Sequence, residues 1–176
     1  SQDFLDAIDE AENAFYPKRV KMQQVLRETY LNPQVQACWS RRKGATMLKK
    51  NVFKTKDGKD NEEWTNFFNE NFFREIKSYA LDALMFGYSL INWDTIIDGK
   101  ISGIKVIKRE NVLPDIKHVV EHIYATDGIS FENDKYKNWV LYVSTPSELG
   151  ISNCGYGALL YCAMNEVYLR NTIGVN

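Results

Sequence analysis

The chain has 176 residues, 44% of them hydrophobic and 13% aromatic, enough to bury a sizeable core within the size range of one domain. A formal charge of −1 excludes an overall pull toward nucleic acid or anionic membrane, so any such contact must come from a local patch. Cys38, Cys154 and Cys162 stand far apart with no C-x-x-C pair, which excludes a disulfide framework or a zinc ribbon and fits a reducing compartment.

Neither a charged-then-apolar leader nor an apolar run of about 18 residues stands in the sequence, so neither secretion nor a membrane span is expected. The start at Ser1 and a helical pattern still running at Asn176 suggest a piece of a longer protein.

In residues 3–15, Phe4, Ile8, Ala11 and Phe15 form an apolar stripe while Asp6, Asp9, Glu10 and Glu12 supply a solvated face, the pattern of an amphipathic helix. Tyr16-Pro17 interrupts it, and Pro17 suits the first turn of a second helix carrying Val20, Met22, Val25, Leu26 and Tyr30, with Lys18, Arg19, Lys21 and Arg27 around them. Asn32-Pro33 repeats the punctuation and predicts a third helix through Val35, Cys38 and Trp39, capped by Asn32.

Residues 41–59 carry Arg41, Arg42, Lys43, Lys49, Lys50, Lys54, Lys56 and Lys59 against Asp57 as the lone acid. Such a run can contact phosphate, and Arg41, Arg42, Lys43, Lys49 and Lys50 are its candidate nucleic-acid residues. The plainer reading is an edge strand over 46–54 whose lysines block strand pairing, followed by a solvated Lys56-Asp57-Gly58-Lys59 turn.

Residues 61–108 organise the rest. Trp64, Phe67, Phe68, Phe72, Ile76, Tyr79, Ala80, Ala83 and Gly87 recur at three- and four-residue steps, predicting one long helix with an Asp60/Glu63 capping box and a Gly87 C-cap. About 26 residues at 1.5 Å each give a rod of about 39 Å. Residues 88–97 and 101–108, rich in aromatic and β-branched side chains, flank Asp98-Gly99 and predict a hairpin. Neither strand alternates cleanly, which places the hairpin in a larger sheet.

Downstream, Pro114 excludes helix at Leu113. His118-Val119-Val120-Glu121-His122 then matches the H-x-x-E-H pattern of inverted zinc proteases, in which His118 and His122 would ligate zinc and Glu121 would act as base. That chemistry requires a helix and a third ligand, whereas the β-branched neighbours predict a strand, and these are the chain's only histidines. Strands follow over 128–131 and 138–144, and a last helix carries Leu160, Ala163, Met164, Val167 and Tyr168 after Gly155-Tyr156-Gly157, with Asn153 a candidate cap. The two glycines lack the further residues of a phosphate loop and read as a tight helix entry. No nucleophile elbow and no cysteine near a histidine stands out, so no catalytic residue and no cofactor site is predicted. The fold class is α+β: N-terminal helices, a long central amphipathic helix, a mainly antiparallel sheet including the hairpin, and a C-terminal helix.

The run Ala80-Leu81-Asp82-Ala83-Leu84-Met85-Phe86-Gly87-Tyr88-Ser89-Leu90-Ile91-Asn92-Trp93 resembles the helix-to-hairpin segment of phage portal proteins of the Mu-like kind. Residues 109–114 are similar to that family's arginine-and-proline exit, 139–144 to its apolar strand, and Gly155-Tyr156-Gly157-Ala158-Leu159-Leu160 to its glycine-rich helix entry; 35–43 resemble its Arg- and Trp-bearing helix. Asn153-Cys154 departs from a proline-containing pair.

The resemblance implies that residues 1–176 form a single wing-like domain, a structural part of a portal ring without the stem and clip. It implies portal subunits as partners, twelve in the full ring, with capsid and terminase proteins and double-stranded DNA in the channel. It implies a location in the virion, and in the host bacterial cytoplasm during assembly, and no enzymatic activity, cofactor or membrane contact. The competing readings are a zinc hydrolase on His118, Glu121 and His122, and a nucleic-acid-binding module on the basic 41–59 stretch.

Overall fold

The computed structural model describes residues 2–120, 128–144 and 155–173. The element order is α1 (Gln2–Ala11), α2 (Val20–Tyr30), α3 (Pro33–Leu48), α4 (Glu62–Phe67), α5 (Asn71–Phe86), β1 (Tyr88–Ile97), β2 (Lys100–Val106), β3 (Val112–Leu113), β4 (His118–Val119), β5 (Ile129–Ser130), β6 (Trp139–Val143) and α6 (Ala158–Ile173). The class is α+β. The sheets are antiparallel, ordered β2-β1-β6 and β3-β4-β5.

Two cores form. The helical core gathers Phe4, Ala7 and Ala11 of α1, Met22 and Leu26 of α2, Trp39 of α3, Met85 of α5 and Leu159, Leu160 and Ala163 of α6. The second lies between the sheets, where Tyr88, Leu90, Val112 and Phe131 are buried against Ile107, Val119, Tyr136, Trp139 and Leu141. The hairpin is present as expected: Asp98 (φ 51°) and Gly99 (φ 73°) both take the left-handed conformation a tight primed turn requires. β6 pairs with the other edge of β1, Leu90 opposite Leu141, so the hairpin does sit in a larger sheet.

The predicted long helix is broken into α4 and α5. Phe68 still has helical angles, but Glu70 is extended at ψ 157°. Asn69 and Asn51 make the break. Asn69 Oδ1 accepts from the Asn51 backbone N–H (3.1 Å), its Nδ2 donates to the carbonyls of Asn51 (2.8 Å) and Thr65 (2.6 Å), and Asn51 Nδ2 donates to the Phe68 carbonyl (2.8 Å). A short amide side chain competes with the helix ladder for these groups. Residues five apart on a continuous helix stand about 140° apart around its axis. The break instead brings Phe67 onto Phe72 (5.4 Å) and Phe68 onto Phe73 (4.4 Å). The cap of α4 is Asn61, whose Oδ1 accepts from Trp64 N–H at 3.0 Å, rather than the expected Asp60/Glu63 box.

Three further expectations are corrected. α1 stops at Ala11, because Asn13 Oδ1 accepts from the N–H groups of Phe15 (3.0 Å) and Tyr16 (2.9 Å), and Phe15 is 86% exposed. α2 starts at Val20, past Pro17. The edge strand over 46–54 is absent: α3, capped by Asn32 as expected, continues to Leu48, where Thr46 Oγ1 donates back to Arg42 O rather than leaving the helix, and only a Lys54–Asp60 bridge remains. The Lys56-Asp57-Gly58-Lys59 turn is found, closed by Thr55 N–H to Lys59 O at 2.8 Å.

Candidate interaction surfaces

Where α5 gives way to β1, the backbone reverses through Gly87 (φ 95°), whose N–H caps the helix on Ala83 O at 2.8 Å. The entry to α6 crosses the same point: a Cβ on Gly87 would overlap Gly155 O and meet Tyr156 C at 3.0 Å, and one on Gly157 (φ 76°) would meet Met85 C at 2.5 Å and Gly87 N at 2.6 Å. Both glycines therefore serve positive φ and close backbone approach together. The expected tight helix entry is found, and its contact with residues 85–87 is what the sequence did not reveal.

Arginines fasten this crossing on either side. Arg109 follows the hairpin; its Nε donates to Tyr88 O (2.8 Å), its Nη2 to Ser89 Oγ (2.8 Å), and its guanidinium lies 4.8 Å from the Phe86 ring. Tyr88 Oη donates to Arg109 O at 2.7 Å in return, and Ser89 Oγ donates to Tyr79 O at 2.7 Å. Burial lowers the Arg109 pKa, an effect that the Asp82 charge opposes. On the other side Arg19, one of the cations around the apolar residues of the second helix, is fully buried; it pairs with Asp115 at 2.5 Å and stacks 4.5 Å over Tyr156, whose hydroxyl donates to Glu12. The one advance signal for Arg19 is its place between Pro17, itself buried, and the apolar residues opening α2.

The crossing thus unites Gly87, Arg109 and Gly155-Tyr156-Gly157, segments far apart in the sequence. A family model described as the portal protein of Mu bacteriophage matches residues 23–176. The chain belongs to that family. No curated protein and no solved structure matches it. The portal family is a structural, non-enzymatic kind, and this chain is accordingly a structural component of a phage portal, a protein of the virion.

The basic stretch 41–59 is not one patch. Lys43 leaves it: its Nζ donates to Asp82 Oδ1 at 2.8 Å, beside the Trp39 Nε1 donation to the same oxygen at 3.2 Å. Arg41 and Arg42 are exposed on α3, while Lys49 and Lys50 lie beyond its end and face a cleft shared with Arg74 and Lys77 of α5. Arg74 and Lys77 lie outside the 41–59 run, so no basic run in the sequence points to them.

His118 lies in β4, opposite Leu113 and Ser130, so the H-x-x-E-H segment begins as strand, as its neighbours predicted. Glu121 and His122 lie outside the described residues, as do Asn153 and Cys154. Among the described residues no three His, Cys, Asp or Glu side chains converge as a metal site, and no helix is long and apolar enough to cross a membrane.

Apolar surface is concentrated on the outer side of α6, where Tyr161, Met164, Tyr168, Leu169 and Ile173 are exposed, while Leu159, Leu160 and Ala163 face the core. A helix apolar on both sides is one built to be covered on both.

Proposed function

We propose that residues 1–176 form a single wing-like domain of a portal subunit, peripheral to the DNA channel, whose work is mechanical. In the complete subunit a stem and clip would line the channel and the ring would hold twelve copies at one capsid vertex. DNA would enter under a separate terminase motor and leave through the same channel. Assembly would take place in the host bacterial cytoplasm. The observation that carries this reading is the match to the portal family over 23–176. The outer side of α6 supplies apolar surface for neighbouring subunits or capsid protein.

Sedimentation tests it. Residues 1–176 are expected to remain small, while the same residues followed by a stem and clip form a ring-sized particle without stoichiometric zinc. If both remain monomers and zinc co-purifies one to one, the reading fails and His118, Glu121 and His122 become the residues to mutate.

A further inference from the structure

The cleft between the end of α3 and α5 has a volume of about 260 Å³, and its cations are Lys49, Lys50, Arg74 and Lys77. No acid lines it; Glu70 and Glu75, the closest in sequence to Arg74, lie outside its walls. We propose that this cleft binds the phosphate backbone of duplex DNA without reading sequence.

Phosphate, rather than base or peptide, follows from how the neighbouring groups are engaged. Phe68 cannot offer a ring face to a base, because Phe53 stacks on it at 4.5 Å and Trp64 lies over it at 5.8 Å, while Phe73 meets it edge-on at 4.4 Å. On the edge formed by Asn51 and Phe53, the extended chain at the cleft mouth is already paired and offers nothing to an acidic peptide. Asn51 N–H and O are both held by Asn69; Phe53 N–H donates to Thr65 Oγ1 at 3.0 Å and Phe53 O accepts from Asn61 N–H at 2.8 Å. The charge the cleft offers a ligand is that of its four side-chain cations. Lys77 Nζ donates to Lys49 O at 3.1 Å, which ties the α5 cations to those that follow α3. Lysine and arginine charges gathered at one place give salt-sensitive attachment to a polyphosphate, and contacts to phosphate carry no sequence information. The site belongs to one copy of the chain and does not depend on ring assembly.

The test is fluorescence anisotropy of residues 1–176 with a labelled duplex of about 20 base pairs across roughly 50 to 200 mM salt. Four neutralised phosphates predict a slope of log affinity on log salt of about −3 to −4, an affinity loss on the order of a hundredfold over that range. K50E/R74E should reduce binding at least tenfold, by order of magnitude, and make the slope shallower by about two. The charge-preserving K50R/R74K should bind like the parent, as should R41E/R42E, whose charges lie outside the cleft. Circular dichroism checks folding, and K50Q/R74Q decides if the reversed variant unfolds. Unchanged binding in the cleft variants, loss in R41E/R42E instead, or tighter binding of poly-glutamate than of duplex at equal salt would each overturn the proposal.

Discussion

Around Gly87 and Gly157 the packing surface is backbone itself, while in residues 51–73 rings and two asparagines hold the chain and no side chain of α4 is buried. The first region tolerates no added atom and encloses charged groups. The second is an arm of stacked and edge-to-face rings that meets solvent, with Trp64 51% and Val52 62% exposed. Loss of a contact should therefore be global at the crossing and local in the arm.

The sharpest break of this contrast is Gly157→Ala. A Cβ there would need the 85–87 backbone to move, at a positive φ that alanine disfavours. We expect a loss of roughly 2–4 kcal/mol, read as a large fall in melting temperature. Gly44→Ala is the counterpart: Gly44 lies inside α3 with nothing within 4 Å of a new Cβ, so the change should stabilise by about 0.5–1 kcal/mol. Equal effects at both positions would remove the case for a special crossing.

Next in size is Asp115→Ala. It withdraws a carboxylate from the buried Arg19 guanidinium, and because Asp115 is itself partly exposed the expected cost is about 2–3 kcal/mol, below the range for a fully buried pair. Combining it with Arg19→Met should recover much of the loss, since methionine keeps the volume between Tyr88 and Tyr156 without the charge. Chemical denaturation of the single and double variants measures this, and a double variant worse than Asp115→Ala would show that the Arg19 charge itself stabilises the crossing.

Asn69→Ala should cost about 1–2 kcal/mol and act locally. It removes the side chain that holds both the Asn51 backbone and the end of α4, so hydrogen exchange should rise across 51–69 while the α2 and α6 amides keep their protection. Exchange rising equally in α2 would show the arm and the helical core to be one cooperative unit.

The same contrast explains what the sequence could tell. The hairpin was legible because Asp98-Gly99 is a local signal, and the Gly87 cap likewise. The break at 68–70 was hidden because aromatic residues on both sides continue a helical period; the clue was the asparagines of Asn66-Phe67-Phe68-Asn69-Glu70-Asn71, whose partner Asn51 lies 18 residues away. The end of α3 is hard to read because the lysines within 46–54 resemble those of a strand edge, yet Ala45, Met47 and Leu48 favour helix. The family segments could be named from sequence, but their convergence could not, since contact between Gly87 and Gly157 is a property of the folded backbone.

The smallest expected effect separates buried from exposed charge. Lys21 Nζ lies 2.7 Å from Glu10 Oε1, a spacing close to that of Arg19 and Asp115, yet both side chains are well exposed. The hydrogen bond that Lys21 donates to Glu10 raises the Lys21 pKa, with Asp6 and Asp3 adding to the attraction. A raised lysine pKa means stability present below the ordinary lysine value and lost as pH climbs through the folded one, so any contribution fades only in strong alkali. Solvent and salt screen such a pair. Lys21→Ala should therefore leave the neutral-pH melting temperature within experimental scatter, and a fall comparable to that of Asp115→Ala would mean that distance, rather than burial, decides what an ion pair does in this fold.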